Sequence, residues 1–276
     1  MKSPQQQDIT IPVRLRLLNT VGFILMIAVN ALAQLLPLAG KTTGELSDKY
    51  PVLITPPGYV FSIWSVIYVL LAGFIVYQWT RTGASKGSVK GIRCWFFVNT
   101  LLNAGWIVAW HYEQLALSVL IMLLLLLTLI VIYHRVQRSG RSAATGRGAY
   151  APTGGTAGPG TVFLVQLPFS LYLGWISVAT IVNVTVLLYD LDWSGFGLDD
   201  KTWLIIGLVA AALVGILISW LYRDPFFGLV QAWALSGIAI KEGIPSDAST
   251  LSWTLVALLL ASSLIQVWRR CRQCRL

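Results

Sequence analysis

Eight stretches of this chain carry no Asp, Glu, Lys or Arg: 17–37, 59–80, 94–111, 115–133, 161–189, 203–222, 226–240 and 252–268. An apolar run of roughly 20 residues matches a hydrocarbon core about 30 Å thick. Within that core every backbone N–H and C=O must find its partner inside the protein, so runs of this length are helices. The pattern predicts an all-α integral membrane protein with eight transmembrane helices, the seventh being the shortest and started by Pro225. Composition agrees: charged residues make up 11% of 276 and mean hydropathy is +0.72. A soluble domain carries about a quarter charged residues.

The charges between the runs alternate. With the N-terminus inside, the inner segments hold Lys2, Arg14, Arg16, Arg81, Lys86, Lys90, Arg93, Arg135, Arg138, Arg141, Arg147, Arg223, Arg269, Arg270, Arg272 and Arg275, 16 of the 20 basic residues. The outer segments hold Glu45, Asp48, Glu113, Asp190, Asp192, Asp199, Asp200, Glu242 and Asp247, 9 of the 11 acids. Basic residues concentrate in cytoplasmic loops, so both ends are expected in the cytoplasm of a multi-pass cell-membrane protein. The net charge of +9 is then an orientation signal rather than a nucleic-acid footprint.

The first run, led by Arg14 and Arg16 and containing Ala31-Leu32-Ala33, resembles a cleavable signal peptide. Its apolar character continues through Leu35, Leu36 and Leu38, which favours a retained helix. Cys94, Cys271 and Cys274 are too few for a disulfide framework, and CRQC offers half of a tetrahedral zinc site. Residues 139–160, rich in Gly, Ser, Thr and Ala, read as a flexible linker. The acidic loop 190–201 is the better boundary, dividing residues 1–189 from 190–276.

Ion-coupled transporters and proton pumps place ionisable groups at membrane depth, and these runs hold none. No Ser/His/Asp or Cys/His arrangement, metal-ligand spacing or phosphate loop assembles either. What lies inside the runs is neutral and aromatic. Phe61, Trp64 and Tyr68 fall at i, i+3, i+7; Asn99, Asn103, Trp106 and Trp110 at i, i+4, i+7, i+11; Tyr172, Trp175, Ala179 and Asn183 at i, i+3, i+7, i+11. Each set shares one helical face. An interfacial aromatic belt accounts for Tyr59 but poorly for Trp64 and Tyr68, two to three turns deep. The asparagines suit interhelical hydrogen bonds as well as ligand contacts. Pro168 is expected to end or kink the first turns of the fifth helix. Gly207, Ala211, Gly215 and Ser219, and then Gly228, Ala232 and Ser236, form small-residue ridges suited to close helix packing.

TPPGYVFSIWSVIY, NTLLNAGWIVAWHY and YLGWISVATIVN, in that order, resemble the tryptophan-rich sensory protein/translocator protein (TspO/MBR) family across helices one to five, about residues 15–189. The resemblance implies a five-helix bundle, often dimeric, that binds porphyrins, sterols and aromatic compounds under a cap formed by the first loop, here 38–58. It puts Trp64, Asn103, Trp175 and Ala179 at pocket positions, with Tyr172 beside them. Departures are Tyr59 where the family often has Trp, Ser62-Ile63 where it has Pro, and no basic residue closely after Tyr189. About three further helices have no counterpart in the five-helix members.

Ligand-binding candidates are therefore Trp64, Tyr68, Asn99, Asn103, Trp106, Tyr172, Trp175, Ala179 and Asn183. The function expected is a membrane sensor or carrier for porphyrin-like or other lipophilic molecules. A transporter not coupled to ions and a porphyrin-degrading enzyme are the alternatives. No motif requires a cofactor; a porphyrin or haem would be a bound ligand. Expected partners are that lipophile, sterol-like or porphyrin, membrane lipid and a second copy of the chain, and not nucleic acid.

Overall fold

The computed structural model describes residues 10–36, 40–145 and 158–273. All regular structure among them is helical, and each of the eight apolar runs forms a helix. α1 (Val13–Leu35) is followed by a short α2 (Thr43–Asp48) and a 3₁₀ turn, Gly58–Ser62, that opens α3 (Ile63–Trp79). Two short helices, α4 (Arg81–Ser85) and α5 (Gly87–Ile92), lead into α6 (Trp95–His111) and α7 (Leu115–Thr145). After the turn α8 (Pro159–Thr161) come α9 (Leu167–Asp190), α10 (Asp200–Tyr222), α11 (Phe227–Ala239) and α12 (Ser246–Gln273).

Among the described residues, six helical stretches are long and apolar enough to cross a bilayer: Val13–Leu35, Gly58–Trp79, Leu115–Ser139, Pro159–Asp190, Asp200–Tyr222 and Ser246–Arg272. α6, with 17 residues, and α11, with 13, are shorter, spanning about 25 and 20 Å at 1.5 Å per residue. The eight expected crossings thus resolve into six of full length and two short apolar helices packed among them. The physical reason α11 can be short lies at its ends. Asp224 and Lys241 flank it, and both turn into protein rather than into lipid.

α1, α6, α7, α9 and α3 pack in that order and close a ring back onto α1. An edge-to-face set of Phe74, Phe96 and Phe169, with centroids 5.1–5.9 Å apart, fills its centre. α10, α11 and α12 form a second layer that docks on α9, mainly through α11. The closest approach is at Gly174, where a Cβ would stand 3.0 Å from the Phe227 carbonyl. A side chain there would have to push the α11 backbone back by a few tenths of an ångström, so glycine keeps the contact close.

Two expectations are modified. Helix α7 continues to Thr145 and a new turn begins at Pro159, so both ends of the stretch read as a linker are helical, and its middle lies outside the described residues. Pro168 neither ends nor breaks its helix. The helix is continuous over Pro159–Asp190, and a π-helical stretch at Val162–Gln166 directly precedes Pro168 and accommodates it.

The small residues of α10 do face protein: Gly207, Ala211, Gly215 and Ser219 are all buried. On α11 Gly228 and Ala232 are buried while Ser236 is not, so that ridge is shorter than its spacing implied. A Cβ at Gly215 would lie 2.7 Å from Leu259 Cδ2 and 3.5 Å from the Gln231 side chain. Gly215→Leu is therefore expected to cost about 1–3 kcal/mol through overpacking and to lower folded yield in detergent. Parental yield and melting temperature would place Gly215 against lipid instead.

Candidate functional site

Trp64 sits where α3, α6 and α9 converge. Its ring stacks on Tyr68 at 5.3 Å, meets Tyr172 and Trp175 edge-on at 5.8 and 6.2 Å, and lies 6.2 Å from Trp106. Trp106 in turn stacks on Trp110 at 6.1 Å. The three aromatic stripes thus meet, as the 3.6-residue period requires of helices facing one axis.

Two cavities flank Trp64. The inner one, about 20 Å³, is lined by Ser47, Pro56, Phe61, Trp64, Trp106, Trp110, Trp175, Val178, Ala179, Val182 and Asn183. The other, about 460 Å³, lies between α1, the α2 loop and α3; Ile27, Asn30, Gln34, Thr43, Asp48, Phe61, Trp64, Ser65, Tyr68 and Ile107 are among its walls. Phe61 and Trp64 belong to both and form the partition. The larger volume is in the range of small-molecule pockets, and the smaller holds little more than a water molecule.

The nine candidates divide by what their polar atoms do. Trp64, Trp106, Trp175, Ala179 and Asn183 line the inner cavity, and Tyr68 the larger one. Tyr172 abuts Trp64 and gives its hydroxyl to Asn103 Nδ2 as acceptor, at 2.8 Å. Asn103 Oδ1 accepts from Asn30 Nδ2, also at 2.8 Å, so this amide joins α1, α6 and α9. Asn99 faces elsewhere: its Nδ2 donates to Thr128 Oγ1 of α7 at 2.9 Å. Though i and i+4, the two asparagines bind different neighbours of α6. Asn183 accepts from Trp106 Nε1 at 3.3 Å and pairs with Ser118. These are the interhelical bonds that polar groups in lipid require.

Two donors remain. Trp175 Nε1 and Ser47 Oγ are fully buried in the wall of the inner cavity and make no hydrogen bond among the described residues. A buried donor without a partner costs about 1–3 kcal/mol, which makes both ready to meet an acceptor.

Residues 40–62 cover the site. α2 is a six-residue helix closed by a capping box: Thr42 Oγ1 accepts from Glu45 N, and Glu45 Oε2 accepts from Thr42 N at 2.7 Å. Its first leg is tied to the ring. Gln34 Nε2 donates to Thr43 Oγ1 at 3.0 Å, Tyr50 donates to Glu113 at 3.1 Å, and Lys49 pairs with the same carboxylate. That ammonium holds Glu113 below the usual carboxylate range. The second leg, 52–60, is tied to the extension. Lys241 Nζ donates to Val52 O, Thr55 O and Thr55 Oγ1 at 3.0, 3.0 and 2.9 Å, and Trp233 Nε1 donates to Val60 O at 3.0 Å. Burial pushes the Lys241 ammonium down, opposed by the nearby Asp48 carboxylate.

Sequence reasoning missed Ser47, Pro56 and Asn30, which lie off the aromatic stripes. Trp110, which its spacing sets on the face of Trp106, is buried and lines the inner cavity as well.

These features define a multi-pass, all-α membrane protein with an aromatic cavity beneath a loop cap. The chain belongs to the TSPO-like family: the family model described as TSPO-like protein matches residues 16–268. The match runs past the five-helix ring through α10 and α11 and into α12. Neither a comparison with curated proteins nor one with solved structures returns a match.

Proposed function

We propose that this chain is a membrane sensor or carrier that binds porphyrin-like or other flat lipophilic molecules beside Trp64. The observation that carries the reading is the pairing of an indole-walled cavity with two buried, unpartnered donors, Trp175 Nε1 and Ser47 Oγ. Such a wall offers ring-stacking surface, and the donors fit a carbonyl or carboxylate at a ligand's edge. The ligand occupies the larger cavity and reaches the inner one by displacing the partition of Phe61 and Trp64. The test is titration of the purified protein in nanodiscs with protoporphyrin, haem and a sterol, followed by ligand absorbance and tryptophan quenching. Saturable binding of one to one stoichiometry supports the reading; linear, non-saturating partition of every compound into the disc refutes it.

The same reading places the cap on the outer face of the cell membrane and both termini in the cytoplasm, following the distribution of arginines. Ser246→Cys, exposed at the start of α12, is expected to react with an impermeant thiol reagent on intact cells, and Thr82→Cys, exposed in α4, is not. Labelling at position 82 alone would invert the protein.

A further inference from the structure

The leg of the cap nearest the inner cavity is packed as part of the extension. Ile54 is buried among Leu204, Leu208, Leu235 and Ile238, in a cluster separate from that of the ring. A Cβ on Gly207 would stand 2.1 Å from Ile54 Cδ1, and one on Gly237 would stand 2.3 Å from Val60 Cγ2, so α10 and α11 are glycine where this leg crosses them. Lys241 then uses three donors on three oxygens of the segment 52–55. An ammonium has three donors, so its capacity is filled. Thr55 is fully buried, and Pro56, the next residue, lines the inner cavity. That cavity, at about 20 Å³, cannot accept a ligand unless this leg or the aromatic partition moves.

We propose that Lys241 is a positioning residue of the lipophile site: it staples the cap leg 52–60 to the extension and thereby sets how often the inner cavity opens. The identity of the cavity as the ligand site rests on the function proposed above; the staple does not. α10–α12 would then govern the part of that opening that needs the leg 52–60 to move, and a ligand that displaces this leg must work against Lys241.

The test needs no ligand. In the full chain with Cys94, Cys271 and Cys274 changed to Ser, a reporter Ser47→Cys, buried in the cavity wall, is labelled with a small maleimide in nanodiscs. A second reporter, Ser88→Cys, buried in α5 at the opposite end of the molecule, reads global loosening. Lys241→Met is expected to raise labelling at position 47 at least tenfold and leave position 88 unchanged. Thr55→Val, which removes one of the three acceptors, should move the same way by a smaller factor and add little to Lys241→Met, because both changes act on one contact. It also covers the case in which Lys241→Met fails to fold. Unchanged labelling at position 47 in both variants, or equal acceleration at 47 and 88, overturns the proposal. Because protoporphyrin binding is measured separately, absence of binding would refute the function and leave this result standing.

Discussion

Asp224→Ala is expected to lower stability by about 3–5 kcal/mol, the largest effect of any single change here. Asp224 lies between α10 and α11 and is fully buried. Its Oδ2 accepts from Tyr133 at 2.8 Å, Ser170 at 2.5 Å and Gln137 at 3.2 Å, and its Oδ1 accepts from the backbone N–H of Phe226 at 2.8 Å. Tyr133 and Gln137 belong to α7 and Ser170 to α9, so one carboxylate from the extension fastens two helices of the ring. Hydrogen bonds to a charged group contribute about 1.5–3 kcal/mol, and each buried donor left without a partner costs about 1–3 kcal/mol. The gross sum exceeds the expected loss because the Ser170 and Tyr133 hydroxyls can turn towards other acceptors. Asp224→Asn keeps the shape and one oxygen but no charge, so an intermediate loss is expected. Thermal unfolding in one detergent, read by ligand-independent tryptophan emission, ranks the three proteins. Equal melting temperatures would mean that the extension is held to the ring by apolar contact alone.

How much of this was legible in the sequence depends on whether local spacing or distant partners decide the matter. The helices and the convergence of Trp64, Trp106, Trp175, Ala179 and Asn183 on one cavity followed from the 3.6-residue period, since a helix in a ring has only one inward face. The fate of Asn99 and Asn103 did not follow. Residues four apart differ by about 40° around a helix axis, enough to point one at α7 and the other at α1 and α9. Asp224 and Lys241 were invisible as interior groups because each sits just outside an apolar run, where a charge usually meets water. Only the shortness of α11 and its docking on α9 draw them inside. The Lys241 contacts join residues 186 and 189 positions apart, and no local pattern encodes a pair so distant.

At the site itself, Trp175→Phe is expected to separate ligands by their polar edge. The change keeps an aromatic ring against Phe61, 5.7 Å away, and against Trp64, 6.2 Å away, but deletes the unpartnered Nε1–H. If that donor meets a ligand acceptor, a bond to a charged oxygen is lost, about 1.5–3 kcal/mol. Each 1.4 kcal/mol is tenfold in affinity, so protoporphyrin binding should weaken by about ten- to a hundredfold. A porphyrin of the same size without carboxylates should bind as before. Trp64→Ala should weaken both by about tenfold or more, because it removes stacking surface that does not depend on ligand polarity. Trp110 cannot serve as an unaffected control, since it stacks on Trp106 in the same cavity. Trp253, half exposed on α12 and remote from both cavities' walls, takes that role, and Trp253→Phe should leave every affinity unchanged. The readout is ligand absorbance rather than protein emission, so removing an indole does not change the signal. Equal losses for the two porphyrins in Trp175→Phe would show that this indole contributes packing alone and that Ser47 or the larger cavity supplies the polar contact. Losses of the same size in Trp253→Phe would mean that the compounds partition onto the lipid-facing surface and that the cavity beside Trp64 is not where they bind.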